Sequence, residues 1–321
     1  MMSFNPLKRA WQSSMIWLAC RDDLRERIQG SDRLTALASR FVAGPDVDAA
    51  QRKADELAAA GIHTSIYYLG EYVDAAELVE DNVVGILAAI ERFAATDLDW
   101  FISVDPTQIG YSVSEEMGWT NAQRIAEAVK AIPNAARHPM MVDMEDAEVV
   151  PQTLALYDQL LAADVPAAIT LQTYLHRTDD DFQRLAGQGA CIRYVKGAFV
   201  ANRNIAHTRK RDIDNAYLRT CLRALGPQMK DAGHRPIFAT HDDEILATLL
   251  VVAEDNGWQK DEYEIEMLLG VREKYQRELA QQGYTVRVYV PFGAAWWPYS
   301  IRRVGENPAN ARFVMRAMVG G

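Results

Sequence analysis

Eight short runs rich in β-branched or aromatic residues recur along this chain, separated by stretches of helix formers. The runs are "HTSIYYL" from 63, "DWFISV" from 99, "PMMVDM" from 139, "PAAITLQ" from 166, "ACIRYV" from 190, "RPIFAT" from 235, "EYEIEML" from 262 and "TVRVYV" from 285. Between them lie segments such as "DAAELVEDNVVGILAAIERFAA", "NAQRIAEAVKAI" and "DNAYLRTCLRALGPQMKDAG". Strands alternating with helices imply parallel β-α units, and eight such units imply a closed (β/α)8 barrel. The competing architecture is an open doubly wound sheet, which usually carries a glycine-rich turn after its first strand. Here that strand is followed by "LGEYV", and "GQG" at 187–189 is too short to serve. Residues 1 to about 60 read as two or three helices ahead of the barrel, with "FVAGPD" as a break, and the barrel itself as residues 61–321.

The chain has 321 residues, about half of them apolar and a quarter charged, so a substantial core is available. A formal net charge of -10 argues against nucleic acid as the main partner. The longest apolar run, "ILATLLVVA" at 245–253, is about half the length that spans a bilayer and reads as a buried helix. The N-terminus shows no secretory pattern. Cys20, Cys191 and Cys221 form no disulfide framework and no metal spacing, so a reducing cytoplasm is the expected compartment.

Barrel enzymes place their working groups at the C-terminal ends of the strands. Read strand by strand, these ends carry Glu71, then Asp105, Thr107 and Gln108, then Asp143 and Glu145. Next come Gln172, Tyr174 and Arg177, then Arg193 and Lys196, then Thr240 and His241, and finally Tyr289. Helix capping would account for Thr240 or Asp143. It does not account for Arg193 and Lys196, which continue an apolar strand. After the last strand, "YSIRRVGEN" places Tyr299, Arg302, Arg303 and Glu306 at helical spacings i, i+3, i+4 and i+7, on one face. The plain reading of such a face is a solvated surface. The sharper reading is an anion clamp, because two adjacent guanidinium forks match one carboxylate.

Three chemistries can use this set. A metal site would draw on Asp143, Glu145 and His241, but no tight ligand spacing supports it. A Schiff-base lyase or aldolase would use Lys196 as nucleophile. A flavin enzyme would use basic and amide groups to hold an anionic, heteroaromatic cofactor across the barrel mouth.

The segments "VDMED", "LQTYLHRT", "RYVKGAF", "FATHDD", "VRVYVPFG" and "YSIRRVGEN" resemble, in order and spacing, the flavin-dependent proline dehydrogenase family of the monofunctional bacterial type. The likeness covers roughly residues 40 to 318, beginning in "FVAGPDVDAAQRKADELAAAGIHTSIYYLGE". It implies a distorted (β/α)8 barrel binding FAD non-covalently and oxidising L-proline to 1-pyrroline-5-carboxylate by hydride transfer to the flavin. A quinone or another acceptor would then take the electrons, with peripheral contact to the inner membrane one way of reaching it. By position, Gln172, Arg193, Lys196, Gly197, Ala198, Thr240, His241 and Glu306 resemble FAD contacts, with Arg193 near the reactive ring. Arg302 and Arg303 resemble the pair that grips the substrate carboxylate. Tyr289 and Tyr299 resemble the aromatic walls, Asp143 a pocket carboxylate, and Glu71 the partner that closes the site on Arg302.

Two positions depart from the family pattern. Where it usually has lysine at the end of strand two, this chain has Asp105 in "ISVDPTQIG", and where the fifth-strand motif usually ends in tyrosine it has Phe199. Phe199 keeps the ring, and Asp105 either turns to solvent, caps the next helix or lies in the pocket. In the pocket it would favour a cationic or strongly hydrogen-bond-donating nitrogen, hence a related N-substituted small amino acid. A catalytically degenerate barrel that acts as a binding partner is the remaining reading.

Overall fold

A computed structural model describes residues 40–70, 76–199, 201–296, 299–300 and 303. All eight anticipated runs form strands. They are β1 (Ile62–Tyr68), β2 (Trp100–Val104), β3 (Met140–Val142), β4 (Ala167–Gln172), β5 (Cys191–Val195), β6 (Arg235–Ala239), β7 (Glu264–Leu268) and β8 (Val286–Phe292). Each pairs in parallel with its neighbour in sequence, and β8 returns to β1, so the sheet closes into an eight-stranded barrel.

Helices alternate with the strands: α1 (Val47–Ala58), α2 (Ala76–Ala94), α3 (Glu115–Lys130), α4 (Val150–Ala162), α5 (Thr178–Ala186), α6 (Lys210–Ala224), α7 (Pro227–Asp231), α8 (Asp243–Asp255) and α9 (Glu273–Gln281). The stretch from 214 to 233 is two helices rather than one. Gly226 is extended and Pro227 opens α7, because proline fits a helix start and not a helix interior. Side-chain oxygens fix three other starts. Asp46 accepts from Ala49 N at 2.8 Å, Ser114 from Met117 N at 3.1 Å, and Asp242 from Ile245 N at 3.3 Å.

The wall departs from a regular barrel between β8 and β1. Helix α1, which precedes the barrel in sequence, packs against both of those strands. The backbone after β8 is helical at Trp296, Tyr299, Ser300 and Arg303, and Tyr299 and Arg303 line the barrel mouth instead of the outer ring. Among the described residues no helix is long and apolar enough to cross a membrane.

Inside the barrel the period-two alternation of the strands stacks side chains in layers. Near the N-terminal end Arg287 binds Glu264 at 2.5 Å and Asp99 at 2.7 Å, and lies over the ring of Phe101 at 3.5 Å. Phe101, Met141, Ala168, Cys191 and Ile237 pack as an apolar cluster. Two residues along β5 from Cys191 and along β7 from Glu264, Arg193 and Glu266 form a second buried ion pair. Two ionic layers thus interrupt what is ordinarily a filling of branched apolar residues. The one toward the mouth supports the site.

Candidate functional site

A cavity of about 830 Å³ opens at the C-terminal end of the barrel. That size is typical of small-molecule and cofactor sites. Thirteen sequence-predicted residues line it: Asp105, Asp143, Glu145, Gln172, Arg193, Lys196, Gly197, Ala198, Thr240, His241, Tyr289, Tyr299 and Arg303. Phe199 lies there too. Glu71, Arg302 and Glu306 lie outside the described residues.

Arg193 is the centre of the floor, and all of its N–H groups are engaged. Nε and Nη2 form a fork on Glu266 at 2.6 and 2.8 Å. Nη1 donates to Asp143 and to Ser103 Oγ, and Nη2 also reaches Ser65 Oγ at 2.9 Å. Asp143 and Glu266 push the guanidinium's pKa up against the opposing effect of burial. Arg193 therefore acts on the cavity through the carboxylates it fixes. Asp143 also accepts from Thr170 Oγ1 at 2.7 Å and from the Tyr289 hydroxyl at 3.1 Å. Burial first, then the charges of Asp143 and Asp105, raise the Tyr289 pKa well above the usual phenol value, so it stays a proton donor.

Across the mouth, Lys196 donates to Asp214 at 2.6 Å and Asp242 at 3.0 Å. It is held in ion pairs rather than standing open as a nucleophile. Gly197 has φ of +108°, and a Cβ there would fall 2.2 Å from the Tyr174 ring, so only glycine fits this turn. His241 accepts from the Leu268 N–H through Nε2 at 3.0 Å, which leaves the proton on Nδ1. Burial, with Arg303, Arg272 and Lys196 nearby, pushes its pKa down to about 4. Gln172 donates to the Glu145 carbonyl, while its buried Oε1 accepts nothing among the described residues.

Asp105 neither turns to solvent nor caps the next helix. Ser114 caps α3, and Asp105 lines the cavity with the Tyr67 hydroxyl on Oδ2 at 2.5 Å. Thr240 and Asp143 do not cap helices either: Asp242 caps α8, and α4 begins without a side-chain cap. Several strand-end groups are scaffolding. Thr107 donates to Glu145, Gln108 to the Tyr68 carbonyl, and Arg177 pairs with Asp181 at 2.8 Å. Arg303 lies 5.3 Å from the Tyr299 ring, the contact expected one helical turn apart. No group of three or more acidic, histidine or cysteine side chains among the described residues is arranged to hold a metal.

Glu266 and Tyr67 were not anticipated. Glu264 and Glu266, at alternate positions of β7, were the available signal for Glu266, because both must point into the barrel if the intervening apolar residue faces the helices.

A family model described as proline dehydrogenase matches residues 50–316. Proline dehydrogenase 1 of Bacillus subtilis (strain 168) is 32% identical over 282 residues, 88% of this chain and 90% of that protein. The proline dehydrogenase of Deinococcus radiodurans is 32% identical over 290 residues, 89% and 91% of the two chains. Among solved structures, proline utilization A from Bdellovibrio bacteriovorus superposes with a TM-score of 0.75 at 20% identity, over 92% of this chain and 36% of its own. The protein of that name from Corynebacterium freiburgense gives 0.70 at 22%, over 100% and 35%. This chain thus spans about a third of the length of those two structures, and they share its fold.

Proposed function

The chain belongs to the proline dehydrogenase family, and from that premise we propose that it oxidises L-proline, or a closely related N-substituted small amino acid, to the cyclic imine 1-pyrroline-5-carboxylate or its counterpart, with FAD as hydride acceptor. The observation that carries this reading is the meeting of Arg303, two tyrosines and the Arg193-anchored carboxylates on one cavity.

The residues present suit FAD. Gln172 Oε1 is a buried acceptor awaiting an N–H, such as one on the edge of a flavin ring. His241 offers Nδ1–H as a neutral donor, and Lys196 and Arg272, paired with Asp214, Asp242 and Asp243, offer N–H groups for which a pyrophosphate would compete. Gln172, Lys196, Gly197, Ala198, Thr240 and His241 would hold the cofactor, with Glu306 as a further contact and Arg193 fixing the floor beneath. Bound there, FAD supplies the two-electron acceptor.

The chain's own groups do the positioning. Arg303, with Arg302 beside it in sequence, takes the substrate carboxylate. Tyr289 and Tyr299 flank the ring and exclude water. Asp143 holds the Tyr289 hydroxyl, so one wall of the pocket keeps a fixed orientation. Fixing a small amino acid by one end converts a diffusive encounter into a defined approach of its carbon to the acceptor. Electrons leave to a quinone or another acceptor from a cytoplasmic protein, with peripheral contact at the inner membrane one route.

The Schiff-base alternative makes Lys196 a nucleophile, and its two ion pairs count against that. Purified protein is expected to be yellow, with a flavin spectrum. Borohydride added with a 2-oxo acid, which carries the carbonyl that a Schiff base needs, is expected to leave no substrate-sized mass adduct on Lys196. A colourless protein that traps substrate on Lys196 would overturn the assignment.

A further inference from the structure

The layer of side chains at the cavity floor can be followed strand by strand, and its charges do not cancel. β1 and β2 bring the hydroxyls of Ser65 and Ser103, and β4 brings that of Thr170. β6 brings Ile237 and Ala239, both apolar. β8 brings the Tyr289 phenol, which keeps its proton. The ionic groups are Arg193 on β5, Glu266 on β7 and Asp143 just past β3. Both oxygens of each acid accept hydrogen bonds, the pattern of ionised carboxylates. Glu266 accepts twice from Arg193, while Asp143 accepts from Arg193 and Thr170 on one oxygen and from Tyr289 on the other. Two negative charges thus share one positive charge. Arg287, one layer further down, does not offset the excess, because it is itself shared between Glu264 and Asp99.

Asp143 and Glu266 both line the cavity in which the oxidation takes place. In that step the substrate C–H bond breaks and its two electrons pass with the proton to FAD. The nitrogen lone pair forms the C=N bond. One unit of negative charge has then arrived on the cavity, and it stays until an acceptor takes the two electrons. Charges in such a cavity are screened much less than in water. At an effective dielectric of about 20, unit charges about 10 Å apart still shift an equilibrium by more than tenfold. Asp143 has a second duty in holding the Tyr289 hydroxyl, whereas Glu266 gives both oxygens to Arg193. Glu266 is therefore the acid that turns a neutral ion pair into a layer with a negative charge to spare.

We propose that Glu266 tunes the bound cofactor: the charge it adds to the floor disfavours reduced FAD and so drives electrons onward to the acceptor. This rests on the amino-acid dehydrogenase reading and adds how the site passes electrons on. Glu266 acts through its field and through Arg193, as a positioning residue.

The test is the midpoint potential of FAD in the purified holoprotein, measured by anaerobic dye-coupled reduction with no amino acid present. Glu266→Gln keeps the shape and one acceptor oxygen and removes the charge. It is expected to shift the reduction equilibrium toward reduced FAD by at least about tenfold, which is about 30 mV upward for a two-electron couple. Ser103→Ala removes one hydrogen bond to Arg193 without changing the charge, and should leave the potential unchanged. If Glu266→Gln does not fold or hold FAD, Asp143→Asn removes the other acid and should give the upward shift instead. An unchanged potential in the acid variant that holds FAD overturns the tuning role and leaves the dehydrogenase reading standing. Wild-type protein that binds no FAD removes both.

Discussion

Arg193→Met is expected to lower the unfolding free energy by about 3–5 kcal/mol, the range for breaking a buried ion pair from one side. The reason is geometric. Methionine fills much of the volume but donates nothing. Asp143 and Glu266, 8% and 2% exposed, would be left in the barrel with their charges unmet. Ser65 and Ser103 would lose their donor as well. Chemical denaturation of the wild type and the variant reads the difference directly. Adding Glu266→Gln to Arg193→Met should recover part of the loss, because it removes one stranded charge. A variant within about 1 kcal/mol of wild type would show that the Arg193 network is not the cation-centred support described above.

Arg303→Met is expected to raise the Michaelis constant for the amino acid about 10- to 100-fold while changing turnover at saturation much less. A guanidinium on a carboxylate contributes a charge-assisted hydrogen bond of roughly 1.5–3 kcal/mol to binding. Its loss is felt wherever the substrate is bound, before and during reaction, and so falls mainly on the Michaelis constant. Arg303→Lys should lie between, since lysine keeps the charge and loses the planar fork. Steady-state kinetics with an artificial acceptor measures both constants. An unchanged Michaelis constant in Arg303→Met would remove Arg303 from the carboxylate site.

The barrel was readable because each buried parallel strand is a short apolar, β-branched run between helix formers, and eight of them in alternation leave few architectures. The site was readable where a polar group stood at or just past the end of such a run, as with Asp143, Gln172, Lys196 and His241, and where a charge interrupted one, as with Arg193. It was not readable at Tyr67 and Glu266. Tyr67 looked like one more aromatic residue of β1, and Glu266 was hidden in a strand whose end, "MLLG", is apolar. Alternation separates two faces but does not say which one closes inward, and that is fixed only when all eight strands meet. The partners of Lys196 were out of reach for a similar reason. Asp214 lies on α6, 18 residues away in sequence, and only the packing of α6 brings it to 2.6 Å. Asp105 shows the opposite case. The sequence flagged it as an exchange of charge, and the structure adds that it lies in the cavity held by a tyrosine hydroxyl.

The most direct test of the central claim is anaerobic titration of the purified protein with L-proline, followed in the visible spectrum. Flavin absorbance is expected to bleach on addition of L-proline and to return when an electron acceptor is admitted. Flavin that stays oxidised at saturating L-proline, and through a panel of N-substituted small amino acids, would contradict it.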